Sequence, residues 1–170
     1  APGEDSEVLE GRGVLHRAVP MTRRLTPLRD LGSLVALYRL MRRERFTIVH
    51  AHNPKPGLLA QVAARLAGVP VVVNTLHGFY FHDGMGRWAR RFYLTLERIG
   101  ALCSDVVLAQ NEEDVRTAVR ERIVAPRRIK LLGNGIDLRR FDAGLLPRDT
   151  RRLVRSSLGI ADDAPVGHRP

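Results

Sequence analysis

The sequence has few of the residues that brace small secreted proteins or anchor proteins in membranes. Cys103 is the only cysteine among 170 residues, which excludes an internal disulfide and a thiolate metal cluster and agrees with a reducing compartment. A membrane-spanning helix needs about 20 uninterrupted apolar residues, and no stretch of the sequence approaches that length. The chain also lacks a P-loop, a GxSxG elbow and a GxGxxG fingerprint, so the common signatures of phosphate transfer, hydrolysis and dinucleotide binding are absent.

Lysine is scarce too, and the positive charge is almost all arginine. The formal net charge is +10 at pH 7, and Lys55 and Lys130 are the only lysines. A basic surface can attract nucleic acid, anionic lipid head groups or a phosphorylated substrate, and a host preference for arginine explains the bias equally well. Aromatic residues make up 5% of the chain, and the arginines are spread over every predicted helix. We therefore expect no nucleic-acid partner.

Strand and helix patterns alternate along the chain. Short apolar runs predict strands at residues 14–19, 47–51, 69–76, 105–109 and 129–132. Helical patterns predict helices at about residues 28–44, 57–67, 87–102 and 112–122, and a short one at 148–158. The run at 69–76 has the pattern of a strand buried on both faces. Together these patterns predict an α/β fold with a parallel sheet flanked by helices.

Polar residues follow three of the predicted strands. In open parallel sheets, ligands bind outside the carboxyl ends of the strands, so we expect these residues to converge on one rim. A histidine at a strand end can instead be a packing residue, and an Asn-Gly pair can be only a turn. The three segments supply His50, His52, Asn53 and Lys55, then His77, Gly78, Tyr80, His82 and Asp83, and finally Asn134, Gly135 and Asp137.

A metal site is not expected at this rim. His50 and His52 lie two positions apart, which puts both side chains on the same face of a strand. No carboxylate or cysteine stands nearby at a ligand spacing. We therefore expect neither a structural metal nor a bound cofactor.

Three blocks, taken in order and spacing, closely resemble the N-terminal domain of family 4 glycosyltransferases. They are VHAHNPKPGLLAQVAARLAGVPVVVNTLHGFYF, YLTLERIGALCSDVVLAQNEEDVRTAV and IKLLGNGIDLRRFD, and the resemblance covers residues 14–142. It implies a GT-B fold, in which two Rossmann-like domains face each other across a cleft. The N-terminal domain holds the acceptor, and the C-terminal domain binds a nucleotide-sugar co-substrate. It also implies transfer with retention of the anomeric configuration and without a divalent metal.

The resemblance also assigns roles to residues at the predicted rim. It implies that His77 is the catalytic histidine, lying beside Gly78 near the transferred sugar as a hydrogen-bonding or polarising group. Glu97 and Arg98 match an ER pair that we interpret as a structural ion pair. The residues implied to bind substrate are His52, Asn53, Lys55, Gly78 and Tyr80, together with Asn134, Gly135 and Asp137 in the NGxD turn.

Against this family the chain is expected to be truncated at both ends. Residues 1–142 would form a partial acceptor domain, and residues 143–170 an interdomain linker and the start of a missing donor-binding domain. The family's first strand and glycine-rich loop are expected to be missing from the front of the chain, so the strand at 14–19 would lose its natural neighbour. Alone, the chain is expected to be inactive.

The expected function is sugar transfer from a nucleotide-sugar to a lipid-linked or saccharide acceptor in bacterial surface polysaccharide or glycolipid synthesis. The expected location is the cytoplasm, with peripheral contact to the anionic inner membrane face. The alternative is a non-catalytic or partner-dependent acceptor-binding subunit of a split glycosyltransferase. A sugar-nucleotide epimerase shares the architecture, but the HGFYF and GNGID blocks favour a transferase.

Overall fold

The computed structural model describes residues 10–22, 24–52, 54–135, 137, 139, 141–147 and 149–165. These residues form two compact units that divide between Asn134 and Gly135. The strands in the first unit are β1 (Ile48–His52), β2 (Val71–Leu76), β3 (Val106–Ala109) and β4 (Ile129–Leu131). Its longer helices are α1 (Pro27–Glu44), α2 (Pro54–Ala67), α3 (Arg87–Cys103) and α4 (Glu112–Arg120), and the second unit contains α5 (Thr150–Ser157).

The four strands form a parallel sheet in the order β1-β2-β3-β4. Ile48 pairs with Val71, Val73 with Val106, and Val107 with Ile129. Because every strand runs the same way, their carboxyl ends lie along a single edge of the sheet. The predicted parallel α/β fold is therefore confirmed.

In the first unit, α1 to α4 pack against one face of the sheet. Val72 joins the core that α1 and α2 form, while Leu76 and Val107 join the core beneath α3 and α4. On the opposite face Val71 is 37% exposed and Ile48 is 60% exposed. The expectation that β2 is buried on both faces therefore fails at the start of the strand and holds near its carboxyl end, where Thr75 is 3% exposed. An apolar, β-branched run predicts a strand, but it does not tell which elements cover each side of it.

Residues 14–19 do not form the predicted strand. They have no regular secondary structure, and Leu15 is 81% exposed. Val19 and Met21 instead pack against the core of α1 and α2. A strand needs a neighbour to satisfy its backbone groups, and the described sheet ends at β1 on this side.

The remaining elements follow the sequence patterns closely. α1 begins at Pro27, with Thr26 as its N-cap residue, as predicted. The short helix expected at 148–158 is α5, in the second unit. Among the described residues, no helix is both long and apolar enough to cross a membrane. The domain division at residue 142 stays a prediction.

Candidate functional site

Three neighbouring strands each contribute one side chain to a hydrogen-bonded chain at the carboxyl edge of the sheet. His52 is the last residue of β1, His77 follows β2, and Gln110 follows β3. His52 Nδ1 lies 3.0 Å from His77 Nε2, and His77 Nδ1 lies 3.0 Å from Gln110 Oε1. We call His50, His52, His77 and Gln110 the histidine rim. The structure thus brings together two histidines that the sequence placed at different strand ends.

His50 extends the rim along β1. Its ring centroid lies 4.3 Å from that of His52, as expected for residues two positions apart on a strand. His50 Nε2 lies 2.7 Å from the hydroxyl oxygen of Thr75 on β2, which is buried. The hydroxyl contact holds the first imidazole of the rim against the neighbouring strand.

The surroundings of His52 favour its neutral imidazole. Partial burial of the His52 ring lowers its pKa, and the nearby His50 and His77 lower that pKa further because charges of the same sign repel. Neutral rings can both donate and accept hydrogen bonds, as a ligand rich in hydroxyl groups requires. Within the described ranges, no group of three or more histidine, cysteine or carboxylate side chains is arranged to hold a metal ion.

Lys55 lies near the start of α2 and is tied to other parts of the fold. Its Nζ lies 2.6 Å from Asp30 Oδ1 and donates to the backbone carbonyl oxygens of Thr22 at 2.8 Å and Arg24 at 2.5 Å. The Lys55 and Asp30 side chains are only 12% and 14% exposed. Lys55 therefore holds the segment before α1 against α2, and its role in an acceptor pocket stays a prediction.

The loop after β2 begins with a conformation that favours glycine. Gly78 has φ +98°, in the left-handed region. Beyond it, Tyr80 is 62% exposed and stacks on Tyr93 of α3 with ring centroids 5.1 Å apart. Phe81 is buried, and the Arg90 guanidinium lies 5.4 Å from its ring centroid. The loop is thus fixed on α3, with Tyr80 presented at the surface.

The predicted NGxD turn is divided between the two units. Asn134 is exposed and follows β4, so it lies after the carboxyl end of the fourth strand. The left-handed backbone falls at Gly133, with φ +72°, and Gly135 lacks it. In the second unit, Asp137 Oδ1 accepts a hydrogen bond from the backbone N–H of Arg139. Asn53 lies outside the described residues.

Glu97 and Arg98 do not form the expected ion pair. Arg98 Nη2 donates to the backbone carbonyl oxygen of Glu121 at 2.7 Å, and burial raises the pKa of Glu97 to about 7. Consecutive residues on a helix point in different directions, so side chains at these positions do not face each other. The Glu97 carboxyl makes no ion pair with any part of the chain that the structure describes.

Gln110 is the rim residue that the sequence patterns did not single out. It follows β3 directly, in the segment LAQN. The rule that selected residues at three other strand ends applies equally to this fourth one. The position of Gln110 at a strand end is therefore the signal that identifies it.

Comparisons with known proteins give one consistent family. A family model described as "Glycosyl transferase 4-like domain" matches residues 1–135. The UDP-Gal:alpha-D-GlcNAc-diphosphoundecaprenol alpha-1,3-galactosyltransferase of Escherichia coli is 35% identical over 134 residues, which are 79% of this chain and 35% of that protein. The capsular polysaccharide biosynthesis glycosyltransferase CapM of Staphylococcus aureus is 28% identical over 148 residues, which are 84% of this chain and 39% of that protein.

The fold agrees with a solved structure. A glycosyltransferase from Rickettsia africae ESF-5 superposes with a TM-score of 0.64 at 15% sequence identity, covering 96% of this chain and 41% of that one. The chain thus spans little more than a third of the length of the curated relatives described above. The family match covers most of the chain, including β1 to β4 and the histidine rim. The chain therefore belongs to the glycosyl transferase 4-like domain family.

Proposed function

We propose that this chain is the acceptor-side domain of a glycosyltransferase that acts in bacterial surface polysaccharide or glycolipid synthesis. The transferred sugar comes from a nucleotide-sugar, and the acceptor is lipid-linked or a glycan. One observation carries this proposal: the similarity to the Escherichia coli relative, whose name specifies a UDP-Gal donor and a diphosphoundecaprenol-linked acceptor. The relatives are named as glycosyltransferases, and they do not favour a non-catalytic subunit.

In this proposal the histidine rim forms one wall of the acceptor site. His77 lies near the transferred sugar, beside Gly78, and His52 meets the acceptor. The rim supports these roles because its histidines are exposed and lie at the carboxyl edge of a parallel sheet, where ligands bind in such folds. The other residues proposed to meet substrate are Asn53, Lys55, Tyr80, Asn134, Gly135 and Asp137.

The mechanism is proposed to retain the anomeric configuration, as the resemblance to family 4 implies. The nucleotide-sugar would be bound by a second domain, so this chain alone would bind acceptor without transferring sugar. The ring nitrogens of neutral histidines suit sugar hydroxyl groups, because they exchange hydrogen bonds without requiring a charged partner.

A peripheral position on the cytoplasmic membrane face is also part of the proposal. One stripe of α3 carries exposed apolar side chains at helical spacing, namely Trp88, Phe92, Ile99 and Leu102. Trp88 is 77% exposed and Leu102 73%. Arg87 and Arg91 lie beside the aromatic end of this stripe. Such a face, with aromatic residues next to arginine, suits the interface of an anionic leaflet.

The proposed activity can be tested by supplying the donor half. The chain would be combined with a donor-binding domain from the family, and transfer from a labelled nucleotide-sugar to a polyprenyl diphosphate saccharide would be measured. We expect transfer by the combination, no transfer by either half alone, and loss of transfer with His77→Ala. His82→Ala is the matched control, since His82 is exposed and lies outside the rim. Undiminished transfer with His77→Ala would contradict the assigned site.

A further inference from the structure

We propose that Gln110 is a positioning residue that sets where the protons lie on His77 and His52. Through the hydrogen bonds that link Gln110, His77 and His52, His52 presents an unprotonated Nε2 to the ligand. The hydroxyl-bearing character of that ligand rests on the proposed function, whereas the proton pattern does not. The argument starts from the chemistry of the three side chains at the ends of β1, β2 and β3.

The direction of the hydrogen bonds is set at Gln110. Its Oε1 is a carbonyl oxygen, which has lone pairs and no proton, so it can only accept. The atom 3.0 Å away is His77 Nδ1, which must therefore carry the ring proton. When the His77 ring is neutral it has one N–H group, and its Nε2 is then a lone-pair acceptor.

The acceptor at His77 Nε2 in turn fixes the direction of the hydrogen bond with His52. His77 Nε2 lies 3.0 Å from His52 Nδ1, so His52 Nδ1 must donate the proton of that hydrogen bond. In a neutral His52 ring, Nε2 then keeps its lone pair. Among the described residues, His52 Nε2 has no hydrogen-bond partner, and the His52 side chain is exposed. The chain of hydrogen bonds thus ends in one free acceptor atom.

The positions of the ring protons determine which nitrogen atom can meet the substrate. Both ring nitrogens of His77 are engaged, with Gln110 and with His52. Along the chain of hydrogen bonds from Gln110 through His77 to His52, His52 Nε2 is the ring nitrogen left to accept a hydrogen bond from a hydroxyl group of a saccharide. His77 then acts by holding His52 in the tautomer and orientation that expose this lone pair. The lowered pKa of His52 agrees with a neutral ring.

The test is a measurement of histidine tautomers in this chain. Long-range proton–nitrogen NMR spectra of the nitrogen-15-labelled chain, recorded well above the ordinary histidine pKa of about 6.5, distinguish protonated from unprotonated ring nitrogens. We expect both His77 and His52 to be protonated at Nδ1. Protonation of His77 at Nε2 in the unmodified chain would overturn the proposal, whatever substrate the protein uses.

Two variants at one position separate positioning from packing. Gln110→Glu keeps an acceptor oxygen at the same distance, so both histidines should keep their Nδ1 protons. Gln110→Ala removes the acceptor, and His77 and His52 should both shift toward the Nε2-protonated form. His82→Gln should leave both tautomers unchanged. An unchanged pattern in Gln110→Ala would overturn the positioning role. If Gln110→Ala does not fold, loss of the Nδ1 protons in Gln110→Glu, or their absence in the unmodified chain, would overturn the positioning role.

Chemical reactivity gives an independent readout of the free nitrogen. Diethyl pyrocarbonate acylates unprotonated, accessible imidazole nitrogens, and peptide mass spectrometry locates the product. We expect His52 to be modified several-fold faster than His77, since the lone pair of His77 is engaged. Equal rates, or faster modification of His77, would contradict the proposed pattern. Neither measurement requires a sugar, so a failed transfer assay would leave the result intact.

Discussion

His52 Nδ1 and His77 Nε2 lie 3.0 Å apart although the two residues are 25 positions apart in the sequence. The parallel register explains this contact, because His52 pairs with Thr75 and His77 stands two residues beyond that partner. Adjacent parallel strands end together, so their final side chains meet at one edge. The same geometry adds Gln110 from β3 to the rim.

The first prediction concerns Glu97. Burial raises the pKa of Glu97 from 4.5 to about 7, so the folded protein holds this proton more tightly than the unfolded chain. The resulting stability is fully present below pH 4.5 and is lost as the pH rises to about 7. At about pH 8, Glu97→Gln should raise the free energy of unfolding by up to about 3 kcal/mol. Below pH 4.5 the same substitution should not raise it.

Urea denaturation of both proteins across this pH range measures the effect. Glu44→Gln is the control, since Glu44 lies on the surface at the end of α1 in an exposed pair with Arg43. A difference between Glu97→Gln and the unmodified chain that does not change with pH would contradict the buried-carboxyl account.

The second prediction concerns the Lys55–Asp30 pair. The hydrogen bond from Lys55 lowers the pKa of Asp30, so this carboxylate stabilises the fold above its unfolded pKa and stops doing so as the pH falls through its folded pKa. Lys55→Met should lower the urea midpoint at neutral pH. It should also reduce the fall of that midpoint as the pH is lowered. Loss of a surface pair by Glu44→Gln should have a much smaller effect. Equal effects of the two changes would show that Lys55 does not hold the segment before α1.

The third prediction compares two glycines. Gly78→Ala should cost about 1 kcal/mol or more, because φ +98° is unfavourable for a residue with a Cβ atom. Gly32→Ala should instead stabilise the chain by about 1 kcal/mol, because Gly32 lies inside α1 with open space around its Cα. Thermal unfolding of both variants measures these changes in stability, and a stabilising Gly78→Ala would contradict the left-handed backbone conformation of Gly78 beside the rim.

The fourth prediction concerns the exposed stripe on α3. We expect the chain to sediment with vesicles that contain phosphatidylglycerol but not with vesicles of phosphatidylcholine alone, and added salt should weaken binding. Trp88→Ala should reduce binding several-fold. Phe46→Ala is the control, since Phe46 is an exposed aromatic residue outside α3. Equal binding by both variants would remove α3 from the proposed membrane contact.

The sequence predicted the positions of strands and helices better than the contacts that each of them makes. Strand and helix periodicity located β1 to β4 and α1 to α4, since periodicity reflects local backbone geometry. Residues 14–19 show the limit of this method. Their apolar run has the composition of a strand, but a strand also needs a partner, and that depends on residues far away in the chain.

The candidate site was predicted in position but not in detail. The rule for strand ends placed His52 and His77 at one edge, and their contact is now observed. It could not give the direction of the hydrogen bonds, which depends on Gln110. Nor could it show that Lys55 is tied to Asp30, since the contact joins residues on two different helices. Such side-chain partners depend on packing.

The most direct test of the proposed acceptor wall is a titration of the nitrogen-15-labelled chain with a short-chain polyprenyl diphosphate saccharide. NMR signals that change on binding would map the contact surface. We predict the largest changes at His52, His77 and Tyr80, with His52→Ala weakening binding and His82→Ala leaving it unchanged. Changes confined to residues far from the histidine rim, or no binding at all, would contradict the account.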